Sequence, residues 1–196
     1  MKTHKIRIIA GTFKGRKLSV YEAEGLRPTT DRVRVTLFNW LAPIIRDKKC
    51  LDLFAGSGAL GIEALSRGAA HCLFVEKHKK VSQILKENVS FVEKKHYAII
   101  NNDANQFISQ QKKESFDIIF FDPPYGMEEA PTLLKRALSL LNNNGIIYLE
   151  SHDDTLALES GLVAKKTLCT KNISCGLYIK RPSTVSNPIP EDFENY

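Results

Sequence analysis

Short apolar runs alternate with stretches of helical spacing along the chain from Cys50 onward. The helical stretches begin near Ala59, Lys77, Ala104 and Glu128. Because strands that alternate with helices cannot pair through tight hairpins, they predict a parallel sheet with helices on both faces. The apolar runs that predict its strands are CLDLF, HCLFVE, YAIINN, FDIIFF and GIIYLE.

The end of the chain follows a different pattern. The runs LVAKKTLCT and ISCGLYIKR are separated by a turn of two or three residues, and apolar residues occupy every second position of the second run. That spacing predicts an antiparallel hairpin added to the parallel sheet. Residues 182–196 hold three prolines and three acidic residues, which predicts a mobile tail.

The first 45 residues predict a small extension made of a hairpin and a helix. The runs KIRIIAG and RKLSVY are joined by the turn TFKG, and Pro28 precedes a helix that Thr29 or Thr30 can cap. Helical spacing places the apolar residues of this helix on one face and directs Arg32 and Arg34 elsewhere. The fold class is therefore α/β, with an extension at 1–45, a sheet domain at 46–181 and a tail at 182–196.

Composition narrows the class of protein. With 43% hydrophobic residues in 196, the chain can build a full core. No apolar run approaches the roughly 18 residues of a membrane span, and MKTHKIRIIAG lacks the core of a signal peptide. The four cysteines have no C-x-x-C spacing, so we expect free thiols rather than a metal site. A cytoplasmic protein is the expectation.

Positive charge is concentrated at the start of the chain. Residues 1–49 hold 12 Lys and Arg against four Asp and Glu, whereas residues 50–196 hold 16 against 18. This asymmetry predicts an arm that binds a polyanion, attached to a nearly neutral body. The alternative is a solvated basic face without a partner.

A glycine-rich segment, LDLFAGSGALG, follows the first strand of the sheet domain. Gly56, Gly58 and Gly61 match G-x-G-x-x-G, and Glu76 lies 20 residues after Gly56. A dinucleotide site has this pattern, but Asp52 would repel a pyrophosphate. S-adenosylmethionine carries a sulfonium and an ammonium group instead of phosphates, so an aspartate would attract it. We therefore favour S-adenosylmethionine over a nicotinamide dinucleotide as the cofactor.

Four acidic residues follow four successive strands, where the ligand crevice of such a sheet lies. Beside Asp52, which faces the cations, Glu76 is expected to accept hydrogen bonds from the ribose, and Asp103 to reach the adenine amine. The fourth, Asp122, lies beside the cofactor at the substrate. The expected cofactor contacts are Asp52, Phe54, Gly56, Ser57, Gly58, Glu76, Lys77, Asp103 and Ala104.

The run FFDPPYG predicts a rigid corner after the fourth strand, since Pro123 and Pro124 can continue neither a helix nor a sheet. The Asp122 carboxylate and the Pro123 carbonyl can accept the two protons of an exocyclic amine and direct its lone pair to a methyl donor. Tyr125 can stack on a base turned out of its helix or loop. We therefore expect the catalytic set Asp122, Pro123, Pro124 and Tyr125, with direct displacement at the methyl group.

These motifs, together with RIIAGTFKGRKL and GLRPTTDRVRVTLFNWL near the start, resemble the bacterial 16S rRNA (guanine(966)-N2)-methyltransferase family. The resemblance covers about residues 5–181. It implies a Rossmann-like class I methyltransferase with a seven-stranded sheet that ends in the antiparallel hairpin. It also implies methylation of a guanine N2 amine in 16S rRNA, within a partly assembled small ribosomal subunit. Independently of the resemblance, nothing in the sequence marks a large apolar interface, so we expect a monomer, without a metal or a membrane.

The resemblance assigns RNA binding to the basic extension. The RNA contacts that it implies are Lys14, Arg16, Lys17, Arg27, Thr30, Arg32 and Arg34. Other functions stay open at this point. A DNA amino-methyltransferase uses the same corner but normally carries a target-recognition domain. A ribosome assembly factor without catalytic activity could keep the same fold.

Overall fold

The structure is a computed structural model that describes residues 3–21, 31–151, 156–170 and 173–181. The predicted tail at 182–196 and the predicted RNA contacts Arg27 and Thr30 lie outside the described residues, as does the predicted Thr29 or Thr30 cap.

The basic extension contains the predicted hairpin and helix. Strands β1 (Thr3–Arg7) and β2 (Lys17–Tyr21) pair in an antiparallel arrangement, and helix α1 spans Asp31–Leu41. The strands are shorter than the apolar runs suggest, because residues 8–16 turn back on themselves and bond to the sheet domain instead.

The sheet domain is built on seven strands. Their spatial order is β5-β4-β3-β6-β7-β9-β8, with parallel pairing from β5 to β7 and antiparallel pairing of β9 with both β7 and β8. This order confirms the predicted α/β fold with a C-terminal antiparallel hairpin. The strands are β3 (Lys49–Asp52), β4 (His71–Val75), β5 (Tyr97–Ile100), β6 (Phe116–Phe121), β7 (Leu141–Ser151), β8 (Leu162–Thr170) and β9 (Ile173–Lys180).

Helices connect the strands and cover both faces of the sheet. Helix α3 begins two residues after the predicted Lys77, because His78 is still extended and donates its N–H to Glu76. The short α6 has no counterpart in the predicted pattern. The helices are α2 (Ala59–Ser66), α3 (Lys79–Asn88), α4 (Ala104–Ser109), α5 (Ala130–Ala137) and α6 (Leu156–Glu159).

Two apolar cores lie on the two faces of the sheet. One core joins the hairpin, α1, α2 and α3 to the sheet, and the other joins α4, α5 and α6 to the opposite face. Ile8 and Leu18 of the hairpin region are buried in the first core beside Phe38 of α1. The basic extension therefore shares its core with the sheet domain, since burying these side chains removes their apolar surface from water.

The four cysteines are free thiols, and three of them are buried. Within the described residues, no helix has the length and apolar character required to cross a membrane.

Candidate active site

The four predicted acidic residues meet at one edge of the sheet. Asp52 ends β3, and Glu76, Asp103 and Asp122 follow β4, β5 and β6. These are four adjacent parallel strands, so their carboxyl ends share one edge. The acids therefore line a single crevice, in the spatial order Asp103, Glu76, Asp52, Asp122.

The glycine loop crosses this crevice between β3 and α2. Gly56 and Gly58 both have positive φ, +52° and +82°, which a residue with a side chain rarely adopts. A Cβ on Gly58 would lie 2.5 Å from Leu85 Cδ1, whereas a Cβ on Gly56 would meet nothing closer than 4.0 Å. The loop thus packs tightly on the protein at Gly58 and leaves its backbone open to a ligand at Gly56.

The third glycine serves packing between helix and sheet. A Cβ on Gly61 would lie 2.2 Å from a ring carbon of Phe74 and 2.6 Å from the Cys72 sulfur. Only glycine lets α2 approach β4 this closely. Each glycine of G-x-G-x-x-G is therefore required by the backbone, through a positive φ at Gly56 and Gly58 and through close packing at Gly61.

Asp52 lies beneath the glycine loop and is 3% exposed. Its Oδ2 accepts a hydrogen bond from the Gly61 N–H at 3.0 Å, in the first turn of α2. Burial raises the pKa of the Asp52 carboxyl to about 7; the Gly61 hydrogen bond lowers it and the charge of Glu76 raises it. A cation placed beside Asp52 would favour its ionised form.

Glu76 ties the glycine loop to the segment after β4. Its Oε2 accepts from the Gly56 N–H at 2.9 Å and its Oε1 from the His78 N–H at 2.7 Å, with the residue 8% exposed. A carboxylate oxygen can accept two hydrogen bonds, so each oxygen keeps the capacity to accept a ribose hydroxyl. Asn101 supports the same segment by donating to the carbonyls of Glu76 and Lys77, at 2.7 and 3.0 Å.

Asp103 caps the start of α4. Its Oδ1 accepts from the Asn105 N–H at 2.9 Å, and its Oδ2 lies 3.1 Å from the Lys77 ammonium. Partial burial acts to raise the pKa of Asp103, but Lys77 and the backbone N–H groups of Asn105 and Gln106 outweigh it, and the pKa is lowered. Lys77 and Asp103 were predicted as two independent cofactor contacts. In the structure they form an ion pair beside the buried Ala104.

The predicted corner projects from the end of β6. Phe121 is fully buried, Asp122 and Pro123 are half-buried, and Tyr125 is 76% exposed. The segment closes as a turn, in which Met127 donates its N–H to the Pro124 carbonyl at 3.2 Å. An anchored acid is thus followed by an aromatic ring that faces solvent, as stacking on an incoming base requires.

Phe54 joins the glycine loop to this corner. Its ring meets the ring of Phe121 edge to face, with centroids 5.2 Å apart. Phe121 directly precedes Asp122, so this contact holds the predicted cofactor loop and the predicted catalytic corner together. Ser57 lies in the same loop, and its carbonyl accepts a hydrogen bond from Asn88 at 2.8 Å.

Asn88 is a buried polar residue that the sequence analysis missed. Besides Ser57, its side chain bonds both backbone groups of Ser19 in β2, accepting from the N–H and donating to the carbonyl, each at 2.8 Å. It therefore links the N-terminal hairpin directly to the glycine loop. The available signal was an asparagine at helical spacing from Val81 and Leu85, on an otherwise apolar face.

Glu63 and Ser66 of α2 form a second link to the hairpin region. The Glu63 carboxylate, 0% exposed, accepts from the N–H groups of Ile9 and Ala10 at 2.7 and 3.0 Å. Ser66 accepts from the Phe13 N–H at 3.0 Å and donates to the Ala10 carbonyl at 2.5 Å. A single carboxylate within the apolar run ALGIEAL was the signal for such a structural role.

Basic side chains of the hairpin turn, which are predicted RNA contacts, are exposed. Lys14, Arg16 and Lys17 lie on the surface, and the Arg16 guanidinium is 4.4 Å from the centre of the Phe91 ring. Arg32 is exposed at the start of α1. These four side chains are accessible to a polyanion.

The predicted role of Arg34 is wrong, because its side chain points inward. Arg34 is 1% exposed, and its Nη2 donates to the Arg7 carbonyl at 3.1 Å and to Asp31 at 2.6 Å. It bridges α1 to β1, and a guanidinium held there cannot reach an RNA phosphate. Helical spacing alone did not reveal that Arg34 is buried. Its side of α1 is polar in the sequence, but strand β1 packs against it.

Known proteins resemble this chain over most of its length. The family model described as conserved hypothetical protein 95 matches residues 6–174. Ribosomal RNA small subunit methyltransferase D of Escherichia coli is 47% identical over 164 residues, covering 81% of this chain and 78% of the relative. The enzyme of the same name in Buchnera aphidicola from Acyrthosiphon pisum is 39% identical over 185 residues, covering 91% and 95%.

Solved structures share the fold. The protein yhhF of Escherichia coli superposes with a TM-score of 0.75 and 38% identity, covering 90% of this chain and 98% of that chain. TYW2 of P. horikoshii in complex with MeSAdo has a TM-score of 0.64 at 18% identity, a likeness of fold alone.

Proposed function

The chain belongs to the family of the ribosomal RNA small subunit methyltransferases D, and on that premise we propose that it methylates the exocyclic N2 amine of a guanine in 16S rRNA. It is an S-adenosylmethionine-dependent rRNA methyltransferase, which confirms the predicted enzyme class and family. The observation that supports an exocyclic amine as the methyl acceptor is the corner Asp122 to Tyr125, which projects from the crevice beside the glycine loop. The choice of guanine rests on the family.

The crevice fits S-adenosylmethionine on three structural grounds. The backbone is open at Gly56, the buried Asp52 has a raised pKa that a cation would relieve, and Glu76 keeps acceptor capacity for a ribose. When bound, this cofactor supplies a methyl group activated by a sulfonium. Asp52 and the glycine loop would hold its amino acid part, Glu76 its ribose, and Asp103 with Ala104 its adenine.

The corner would act on the amine of the target base. The Asp122 carboxylate and the Pro123 carbonyl accept its two protons, which draws the nitrogen toward tetrahedral geometry and frees its lone pair. The two prolines keep these acceptors preorganised, so no reorganisation is needed at the moment of reaction. Tyr125 stacks on the base, a contact worth roughly 1–3 kcal/mol.

RNA would be held by the exposed basic residues near the hairpin turn and at the start of α1. Lys14, Arg16, Lys17 and Arg32 can each neutralise a phosphate. Arg27 and Thr30 stay proposed contacts on the resemblance alone. We further propose that the enzyme acts as a monomer, in the cytoplasm, on a partly assembled small ribosomal subunit.

The test is transfer of a labelled methyl group to small ribosomal subunits that lack the modification, to naked 16S rRNA and to DNA. We predict label on a guanine N2 of the ribosomal substrate. Asp122→Ala should lower transfer by at least roughly a hundredfold, because an acceptor that acts on the reacting amine is lost. Affinity for S-adenosylmethionine should stay within a few-fold, since Asp122 lies outside the cofactor cradle.

Glu128→Ala is the matched control, because it removes an exposed carboxylate just past the corner. Unchanged transfer by Asp122→Ala would refute the role of the corner. Label on DNA alone would instead indicate a DNA amino-methyltransferase. Cofactor binding by the wild type without any transfer would indicate an assembly factor.

A further inference from the structure

A second acid lies beside Asp122 on the neighbouring strand. Strands β6 and β7 are parallel, and Phe120 pairs with Tyr148 and Phe121 with Leu149. One position beyond the last pair lie Asp122, directly after the end of β6, and Glu150 within β7. Adjacent strands are about 4.8 Å apart, so the two carboxylates arise side by side.

The same register places both acids on one face of the sheet. Side chains alternate along a strand, so Glu150 shares the face of Tyr148. Asp122 lies near the same face, because its charge raises the pKa of both Tyr148 and Cys175. Phe120 and Tyr148 contact each other, with ring centroids 6.4 Å apart, on the face that α1 covers. Asp122 and Glu150 therefore approach the same end of one surface.

Tyr148 orients the Glu150 carboxylate. The Tyr148 hydroxyl is buried and donates to Glu150 Oε2 at 2.6 Å. Burial raises the pKa of Tyr148, and the charges of Glu150, Cys175 and Asp122 raise it further, so the hydroxyl keeps its proton. The protonated Tyr148 hydroxyl therefore donates to Glu150, which acts as the acceptor. A carboxylate can accept further hydrogen bonds in addition.

A methyltransferase needs only Asp122 and a carbonyl to hold the amine, so the corner does not use Glu150. The residue is 8% exposed, and its β9 neighbour, Cys175, is also buried. Burying a carboxylate is costly unless hydrogen bonds compensate for the lost water. The Tyr148 hydroxyl supplies one such bond, and a carboxylate has the capacity to accept another from a ligand donor beside Asp122.

We propose that Glu150 is a specificity-determining residue that accepts the N1–H of the target guanine while Asp122 holds its N2 amine. The proposal rests on the guanine methylation proposed above. Guanine presents N1–H and the N2 amine as adjacent donors, which two adjacent carboxylates match. A purine without a proton on N1 presents an acceptor there and faces the negative charge of Glu150 instead.

The analogue 2-aminopurine isolates this contact, because it keeps the amine on C2 but has no proton on N1. A site built to bind a donor strongly rejects an analogue that lacks it, because buried polar groups are then left unpaired. The wild type should therefore prefer guanine to 2-aminopurine by at least roughly a hundredfold in kcat/KM. In Glu150→Gln, the amide N–H can donate to N1 of 2-aminopurine while its oxygen still accepts from Tyr148.

The experiment uses small subunits reconstituted with 16S rRNA that carries guanine or 2-aminopurine at the methylated position. Glu150→Gln should lower the ratio of kcat/KM for guanine over 2-aminopurine at least tenfold, with unchanged cofactor affinity as proof of a folded site. Tyr148→Phe should lower the ratio less, because the acceptor stays but loses its orientation. Glu87→Gln, an exposed change on α3, should leave the ratio unaltered.

Equal losses on the two bases in Glu150→Gln would overturn the inference, because a purely structural acid would not discriminate between them. An unaltered ratio in a folded Glu150→Gln would overturn it as well. A wild type that transfers no methyl group to guanine N2 would overturn the proposed function and this inference with it.

Discussion

At the scale of one residue, Asp52 has the environment that the proposed cofactor site requires. Its carboxyl is buried beneath the glycine loop, where it accepts a hydrogen bond from the Gly61 N–H. Ionisation of this carboxyl without a nearby cation is therefore costly, and its pKa is raised. An ammonium or sulfonium group beside it would lower that cost, which is the chemistry that the sequence predicted from spacing alone.

We predict that Asp52 makes stability decrease as pH rises from about 4 to 7. Burial raises the pKa of the folded state from 3.8 to about 7, so the folded chain keeps a proton that the unfolded chain has released. The loss of unfolding free energy across that window is on the order of 4 kcal/mol. Asp52→Asn, which keeps an oxygen for Gly61, should remove this pH dependence in urea unfolding at pH 5 and pH 8.

The same residue should make cofactor affinity rise between pH 6 and pH 8, because a cation binds better to the ionised carboxylate. Calorimetry in two buffers should show release of a proton on binding to the wild type and little release from Asp52→Asn. For the stability prediction, an equal dependence of unfolding free energy on pH in the wild type and in Asp52→Asn would contradict the raised pKa of Asp52.

Helix α1 shows, at the scale of an element, that two arginines two positions apart have different environments. Arg32 is exposed, whereas Arg34 is buried and bonds the Arg7 carbonyl of β1. An amphipathic pattern distinguishes apolar from polar positions, but it does not show that a second element covers a polar position. The hairpin supplies that cover.

We predict that neutralising Arg32 affects RNA binding, whereas neutralising Arg34 affects the stability of the fold. Arg32→Gln should lower the slope of log binding constant against log salt by roughly 0.7–0.9, because one phosphate contact is lost. Arg34→Gln should leave the slope unchanged and reduce the free energy of unfolding by about 1–3 kcal/mol, because the Arg7 carbonyl loses its partner. Titrations with 16S rRNA at several KCl concentrations, with urea unfolding, measure both.

A lower slope in Arg34→Gln would contradict the buried geometry. An unchanged slope in Arg32→Gln would remove Arg32 from the RNA interface.

At the scale of the whole molecule, the N-terminal hairpin is part of the methyltransferase core. Ile8 and Leu18 are buried in that core, and the side chains of Glu63, Ser66 and Asn88 accept hydrogen bonds from backbone N–H groups of the hairpin region. Asn88 also holds the Ser57 carbonyl of the glycine loop. A surface proposed to bind RNA is thus connected by one side chain to the loop proposed to bind the cofactor.

We predict that a chain without residues 1–21 loses stability as well as RNA binding. Its Tm should fall by roughly 10 °C or more, because several buried polar groups lose their partners and two core side chains are removed. Affinity for S-adenosylmethionine should fall too. Asn88 loses its hydrogen bonds to Ser19, which orient its side chain toward the Ser57 carbonyl of the glycine loop. Thermal unfolding and calorimetry of the shortened chain measure these changes.

The control is the full chain with Lys14→Gln and Lys17→Gln, which should lose RNA affinity at an unchanged Tm. An unchanged Tm in the shortened chain would mean that the hairpin is an independent arm.

Much of the fold and the crevice was predictable because its signals are local. Alternating strands and helices, the glycine loop and an acid after each of four strands follow from short spacings, and parallel strands bring their carboxyl ends together. The packing role of Gly61 was not predictable, because it depends on Phe74 and Cys72 in another strand. The orientation of Arg34 and the buried bonds of Glu63 and Asn88 depend likewise on elements far away in the chain.

Spacing along the chain was sufficient to predict the class of fold and to bring four acids, the glycine loop and the corner Asp122 to Tyr125 to one edge of the sheet, since each signal depends on neighbours within a few residues. The packing of distant segments decided which arginine faces solvent, how the hairpin is held, and that Glu150 lies beside Asp122. The physical reason is that strand register, burial and hydrogen-bond pairing are properties of contacts between segments. No periodicity within a single segment encodes them.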